Sequence, residues 1–451
     1  MTDSPTTTAP DAALTVAPDA DQHSTGRLAS LPEPGAAAED PLLAAARLAD
    51  AGDELAHLRE RFELPDGTVY LDGNSLGPLP RVVLPAVTEL VRRQWGQDLI
   101  TSWNIHDWWG LPGRVGNQLA GFIGAGEGQV MCGDSTSVQL FQAITAACRL
   151  RPDRSTLLTD GVNFPSDQYL ADSVGRLLGL RVVRLHPSEL KAYLDEHGEQ
   201  VAAVSFSLVD YRTGELFDAA ELTRTAQAAG AVMVWDLCHA IGALPVALDE
   251  IGADLAVGCT YKYLNGGPGS PAFIYIAHRH QRHVQLPLTG WNGHREPFGL
   301  NGSYVPADSI EQARIGTPAL LSMVALQAAL SAFDGVGIER LRAKSLALTQ
   351  QVIDFADQRL AGFGVEVVTP RRPELRGSQV SLRMPDAYQV CQALIERGVI
   401  GDFRAPDLLR LGFTPMYLSF TEVHRGMATL AEIMADGSYR EPRFARRAAV
   451  T

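Results

Sequence analysis

Ala231-Val232-Met233-Val234-Trp235-Asp236-Leu237-Cys238-His239 is an unbroken apolar run that stops at a carboxylate. A run this short, with β-branched and bulky residues and no polar alternation, predicts a strand buried on both faces. Working outward, residues 157–159, 182–185, 201–208, 255–258 and 272–276 repeat the pattern. Several intervening segments, 219–229 among them, are Ala-rich and helix-like. Strand and helix in alternation predict an α/β fold around a mostly parallel mixed sheet. In such a sheet ligands sit at the carboxyl ends of the strands, so chemistry is sought where these runs stop.

Two runs stop on complementary groups. One ends in Asp236, and the run over 255–258 leads into Cys259-Thr260-Tyr261-Lys262-Tyr263. A carboxylate and a lysine would project from the same rim. Pyridoxal phosphate (PLP) needs such a pair, a lysine for its aldehyde and an acid that keeps its ring nitrogen protonated. The plainer alternative makes Asp236 a helix cap and Lys262 a solvated side chain. Against it stands Asn265-Gly266-Gly267-Pro268-Gly269-Ser270, a turn suited to close backbone approach.

Other segments could complete a site. Gly133-Asp134-Ser135-Thr136-Ser137 precedes a helical run over 138–148, and helix N-termini with free N–H groups and hydroxyls bind anions. The same serines and threonines could act only as caps. Asn163-Phe164-Pro165-Ser166-Asp167 also falls on the rim, where Phe164 could stack on a flat ring or pack in the core. His239 has no partner at metal-ligand spacing, so an orienting role beside Asp236 is preferred and no metal is expected. Trp103-Asn104-Ile105-His106-Asp107-Trp108-Trp109 could line a pocket for an aromatic substrate, with His106 its polar group, or pack an interface.

The chain has 451 residues and a formal charge of −14, which disfavours nucleic acid and anionic membranes as partners. Its five cysteines are widely spaced, without a metal or redox pair, and read as reduced thiols. No stretch reaches the roughly 18 apolar residues of a membrane span, so a soluble cytoplasmic protein is expected. Residues 1–40, mostly small and polar, read as a disordered tail. Helices are expected over 41–61, 320–333, 337–360 and 388–397, with further strands over 365–368, 379–382 and 408–411. The expected organisation is an N-terminal segment over 41–95 belonging to a small domain, a large PLP-binding α/β domain over 96–335, a small α+β domain over 336–440, and a flexible tail over 441–451.

Taken together, these segments resemble the kynureninase family, within the fold-type I, class V aminotransferase-like PLP enzymes. Tyr70-Leu71-Asp72-Gly73-Asn74-Ser75-Leu76-Gly77, Phe164-Pro165-Ser166-Asp167, Asp236-Leu237-Cys238-His239 and Tyr261-Lys262-Tyr263-Leu264-Asn265-Gly266-Gly267-Pro268-Gly269 carry the likeness. Gly290-Trp291 and Arg314-Ile315-Gly316-Thr317-Pro318 extend it.

The resemblance implies hydrolysis of kynurenine to anthranilate and alanine, in tryptophan degradation or NAD biosynthesis, by a homodimer with active sites at the subunit interface. It implies that Lys262 holds the cofactor, Asp236 pairs with its ring nitrogen, and Phe164 stacks on the ring with Pro165, Ser166, Asp167 and His239 nearby. Thr136, Ser137, Ser207 and Tyr261 would serve mainly the phosphate, with Tyr261 also moving protons. Trp291 and Thr317 would reach in from the second subunit. Arg410 would bind the substrate carboxylate, with His106 and Asn74 also on the substrate. The Gly316-Thr317 pair resembles the bacterial type and favours kynurenine over its 3-hydroxylated form. The rivals are a cysteine desulfurase or an aminotransferase of the same class, a ligand-sensing regulator, which would need a DNA-binding module the acidic first 40 residues do not resemble, and an inactive homologue.

Overall fold

A computed structural model describes residues 40–447; the tail expected over 1–40 lies, but for Asp40, outside them. From Pro41 onward the chain forms one compact unit. Its centre is a seven-stranded sheet built from β1 (Val130–Cys132), β2 (Thr156–Asp160), β3 (Arg181–Leu185), β4 (Val201–Ser207), β5 (Val232–Asp236), β6 (Leu255–Gly258) and β7 (Phe273–Ile276). The spatial order is β1-β7-β6-β5-β4-β2-β3. Strands β2 to β6 pair in parallel, and β7 runs antiparallel to both its neighbours.

Strands β4, β5 and β6 are buried along their whole length, which explains their unbroken apolar sequence. Trp235 is fully enclosed because its indole Nε1 donates to Thr223 Oγ1 at 3.0 Å. A large apolar side chain buried this way contributes about 1.5–3 kcal/mol relative to exposure. Sequence reading misses β1, since three residues are too few to show a period. The mixed character of the sheet comes from β7.

A second, antiparallel sheet comprises β8 (Glu366–Val367), β9 (Gln379–Arg383), β10 (Asp402–Arg404) and β11 (Leu408–Gly412), in the order β8-β9-β11-β10. Arg410 lies in its middle, with Ser381 opposite on one side and Asp402 on the other. Val69–Tyr70 pairs in parallel with Val399–Ile400, and Asp72 bridges Gly412. The motif around Asn74 is thereby brought beside Arg410.

The expected helix over 41–61 is interrupted. Pro41–Ala51 is α-helical, the chain breaks at Gly52-Asp53, and Ala56–Arg61 continues as a 3-10 helix. Asp53 pairs with buried Lys344 at 2.7 Å, and that ion pair holds the break. The tail expected to be flexible from 441 is ordered as far as the described residues go. Pro442–Ala445 forms a turn whose Phe444 is buried, and Tyr388 Oη donates to Arg446 O at 3.1 Å.

Candidate active site

The cavity that collects most of the expected residues opens at the carboxyl ends of β4 and β5 and is about 230 Å³ in volume. Asp236 is the last residue of β5 and faces Ser207, the last of β4, in register. Its Oδ1 accepts from Cys238 N at 2.7 Å, and Ser207 Oγ lies 3.1 Å from its Oδ2. Ser207 is also 2.8 Å from Asn163 Oδ1. Ser207 therefore stands at the acid end of the cavity, because strand register fixes it beside Asp236.

Asn163 Nδ2 donates to Asp167 Oδ2 at 3.1 Å, and Asp167 is within hydrogen-bonding reach of Asp236. Burial, then the neighbouring Asp236 charge, pushes the Asp167 carboxyl well above its ordinary range. Two buried carboxyls in contact cannot both ionise cheaply, so Asp167 holds its proton beside Asp236.

Lys262 enters from the loop after β6. Its Nζ lies 2.9 Å from His239 Nε2. Burial, then the Lys262 charge, holds His239 well below the usual histidine range. The imidazole is therefore neutral and accepts from Lys262. The loop beyond the lysine turns back sharply, with φ of 88° at Gly267 and 72° at Gly269, values only glycine adopts freely. Tyr261, whose hydroxyl pKa is raised by burial, lines the cavity beside Lys262.

Helix α1 (Thr136–Arg149) begins at the cavity wall with Ser135 as its cap, accepting from Val138 N at 3.4 Å. Thr136 and Ser137 therefore sit at a helix N-terminus and line this cavity. They also line an adjoining one of about 520 Å³ that includes Gly316 and Thr317. Phe164 precedes α2 (Pro165–Leu178), lies half-exposed on the wall and meets Tyr211 edge to face at 5.2 Å. Ser166 and Asp167 line the cavity, whereas Pro165 only starts α2.

Arg410 also reaches the wall, though it is 1% exposed. Its Nη1 donates to Tyr211 O at 2.7 Å, and its Nη2 to Ser75 Oγ at 2.9 Å and to Asp402. Asn74 is fully buried behind it, its amide oriented to accept from Arg410 Nε at 3.1 Å and donate to Asp72 Oδ1 at 3.2 Å. Asn74 thus orients Arg410 and does not line the cavity, which corrects its expected substrate contact. Burial and then the Asp402 charge push the Asp72 carboxyl up to about 6.

Besides Asn74 and Pro165, three expected residues do not line this cavity of their own chain: Thr317, which lines the adjoining one, His106 and Trp291. His106 Nε2 is 2.8 Å from Asp98 Oδ2, and Trp291 packs against Trp109, with ring centroids 5.4 Å apart. Conversely, Asn163, Tyr211, Ser75 and Arg404 line the cavity without having been singled out for the site. Arg404 shares a strand face with Asp402 beside the Arg410 strand, an arrangement set by strand pairing that the sequence alone does not display.

These groups fit PLP. An acid, an amine and a hydroxyl-bearing helix N-terminus open into one cavity, with an aromatic face at its edge. They do not fit a desulfurase, which needs a nucleophilic cysteine on a mobile loop. All five cysteines are buried, and Cys391 lies in the helix Ala387–Glu396 with its thiol pKa raised by burial.

The kynureninase C-terminal domain family model matches residues 341–430. A kynureninase of Burkholderia pseudomallei is 44% identical over 410 residues, covering 89% of this chain and 98% of its own length. One of Deinococcus radiodurans is 46% identical over 391 residues, covering 85% and 94%. Among solved structures, a cysteine desulfurase of Thermococcus onnurineus superposes with TM-score 0.72 at 18% identity, over 84% of this chain and 98% of that one. A C-DES mutant with glycine covalently linked to its PLP cofactor gives TM-score 0.72 at 16% identity, over 83% and 99%. At such identities the superpositions carry the fold alone.

Proposed function

The chain belongs to the kynureninase family, and from that premise we propose which of its residues carry the reaction. It is a PLP-dependent hydrolase that cleaves L-kynurenine with water to anthranilate and L-alanine. The observation that carries this reading is the convergence of Asp236, Lys262 and Arg410 on one cavity. An aldehyde-binding amine, an acid for the ring nitrogen and a cation for a substrate carboxylate are what an amino-acid-cleaving PLP enzyme requires.

Lys262 would hold the cofactor aldehyde and Asp236 its ring nitrogen, with Phe164 on the ring and Thr136, Ser137 and Tyr261 toward the phosphate. When bound, PLP supplies an electron sink for the pair left at the substrate Cα. Lys262 would take the Cα proton, and neutral His239 would orient it. Asp236 would keep the ring nitrogen protonated, and buried Asp167, its own proton held, would add no second charge beside it. Tyr261 moves protons while water adds to the aryl ketone. The Cβ–Cγ bond then breaks, hydroxyl staying on the aryl carbon as the anthranilate carboxyl and a proton going to the alanine methyl.

The working enzyme is proposed to be a cytoplasmic homodimer. Supporting this, Trp95, Leu99, Ile100, Ile105, Trp291 and Phe298 are exposed large apolar side chains, with the rings of Trp291 and Phe298 packed on each other and on Trp109. The partner's copies of Trp291 and Thr317, and of His106, would complete the site. Among the described residues no single helix is long and apolar enough to cross a membrane. Residues 41–95 and 336–440 are proposed as a small domain and 96–335 as the large one; the pairing of Val69–Tyr70 with Val399–Ile400 supports that division. Gly316-Thr317 favours kynurenine over 3-hydroxykynurenine.

Incubation of PLP-loaded protein with each substrate tests this. Equal amounts of anthranilate and alanine, formed faster from kynurenine than from its 3-hydroxy form, are expected. Sulfide release from cysteine without anthranilate would contradict it.

A further inference from the structure

We propose that Arg404 is a substrate-binding residue, receiving the α-carboxylate of the amino-acid substrate jointly with Arg410. The inference rests on the reaction assigned above. A guanidinium has five N–H donors and holds a carboxylate best with two of them in parallel. Arg410 has little left to offer. Its Nε is taken by Asn74, one Nη1 donor by Tyr211 O, and Nη2 by Ser75 and Asp402. Those contacts fix Arg410 in place and leave no free fork.

Arg404 is in the opposite condition. It lines the same cavity, its Nη2 pairs with Asp402 Oδ2 at 2.6 Å, and its buried Nε has no hydrogen-bond partner among the described residues. Its guanidinium stands 5.9 Å from the ring centroid of Tyr211, another wall residue. The small sheet produces this arrangement. Asp402 and Arg404 alternate onto one face of β10, and Asp402 lies opposite Arg410 in register. One acid is thus shared by two cations at the cavity wall. An incoming carboxylate satisfies the second cation. Asp72, the other nearby acid, has its carboxyl raised to about 6 by burial and then by Asp402, which makes its charge the less favourable of the two. A buried N–H without a partner is costly, and Arg404 shares its acid with Arg410, which makes its unused donors a binding determinant.

The test compares wild-type holoenzyme with Arg404→Gln and Arg404→Lys. L-Alanine and ethylamine, which differ by the carboxylate, are titrated against the visible absorbance of bound PLP, and kynurenine turnover is measured alongside. In Arg404→Gln, alanine binding should weaken and the KM for kynurenine rise on the order of 100-fold, with ethylamine binding unchanged. Arg404→Lys should fall between, since an ammonium keeps the charge and loses the fork. Arg404→Lys also carries the test if Arg404→Gln does not fold, judged by retained PLP absorbance. Equal weakening of alanine and ethylamine, or of neither, overturns the proposal. Absence of anthranilate from the wild type would instead reject the assigned reaction, and the alanine-to-ethylamine contrast would still report on Arg404.

Discussion

Lys262 Nζ and His239 Nε2 are 2.9 Å apart, and the histidine is held neutral by burial and by the lysine itself. A neutral acceptor fixes where the amine points without competing for its proton. His239→Leu should leave the protein folded and PLP-bound while kcat falls on the order of 100-fold, the scale of a reacting group displaced by about 1 Å. Steady-state kinetics with the bound-PLP spectrum checks this; unchanged kcat would remove the orienting role.

Asp236 accepts from Cys238 N and stands beside Ser207, so its charge is anchored before any cofactor binds. Asp236→Ala should retain Lys262 and lose activity by about 10²- to 10⁴-fold, the cost of removing one partner of a buried charge pair. The measurement is kcat at saturating PLP.

Gly77 N donates to Tyr261 O at 2.8 Å, and a Cβ at Gly77 would run into Asn265 Oδ1, Lys262 O and, at 2.8 Å, Asn265 Cα. Gly77→Ala should destabilise the protein by about 1–3 kcal/mol through overpacking and weaken PLP retention, because the strain falls on the Lys262 loop. Denaturant unfolding and PLP release on dilution measure the two effects.

Asp160 is fully buried, its Oδ1 accepts from Val162 N at 2.9 Å and its Oδ2 has no partner among the described residues. Burial pushes its carboxyl up to about 6. The folded state binds the proton more tightly than the unfolded state, whose carboxyl titrates near 4. The ionisation penalty is therefore absent below about 4, grows as pH rises through 6, and is complete at pH 8. Asp160→Asn should raise stability at pH 8 by about 1–3 kcal/mol, with the gain vanishing toward pH 4. Melting curves at both pH values decide it.

Asp236 and Lys262 are legible in the sequence because each follows a buried strand, and a parallel sheet leaves only one rim for both. The large sheet is legible for the same reason, since β4 to β6 are apolar along their length. The Arg404, Asp402 and Tyr211 cluster is not. It is assembled by the register of four short antiparallel strands and by the return of the N-terminal segment to Val399–Ile400, contacts between residues far apart in the chain. Asn74 looks like a substrate contact in the motif, and only its packing behind Arg410 assigns it a supporting place. His106 and Trp291 point to a surface that one chain alone does not complete.

The central claim is that Lys262 carries cofactor-dependent cleavage of kynurenine. Wild-type protein and Lys262→Ala, each given PLP and kynurenine, are followed by anthranilate fluorescence, with borohydride trapping of the cofactor in parallel. The wild type should produce anthranilate and yield a pyridoxyl group on Lys262, and the variant should do neither. Anthranilate formation by Lys262→Ala at the wild-type rate, or trapping at another lysine, would contradict it.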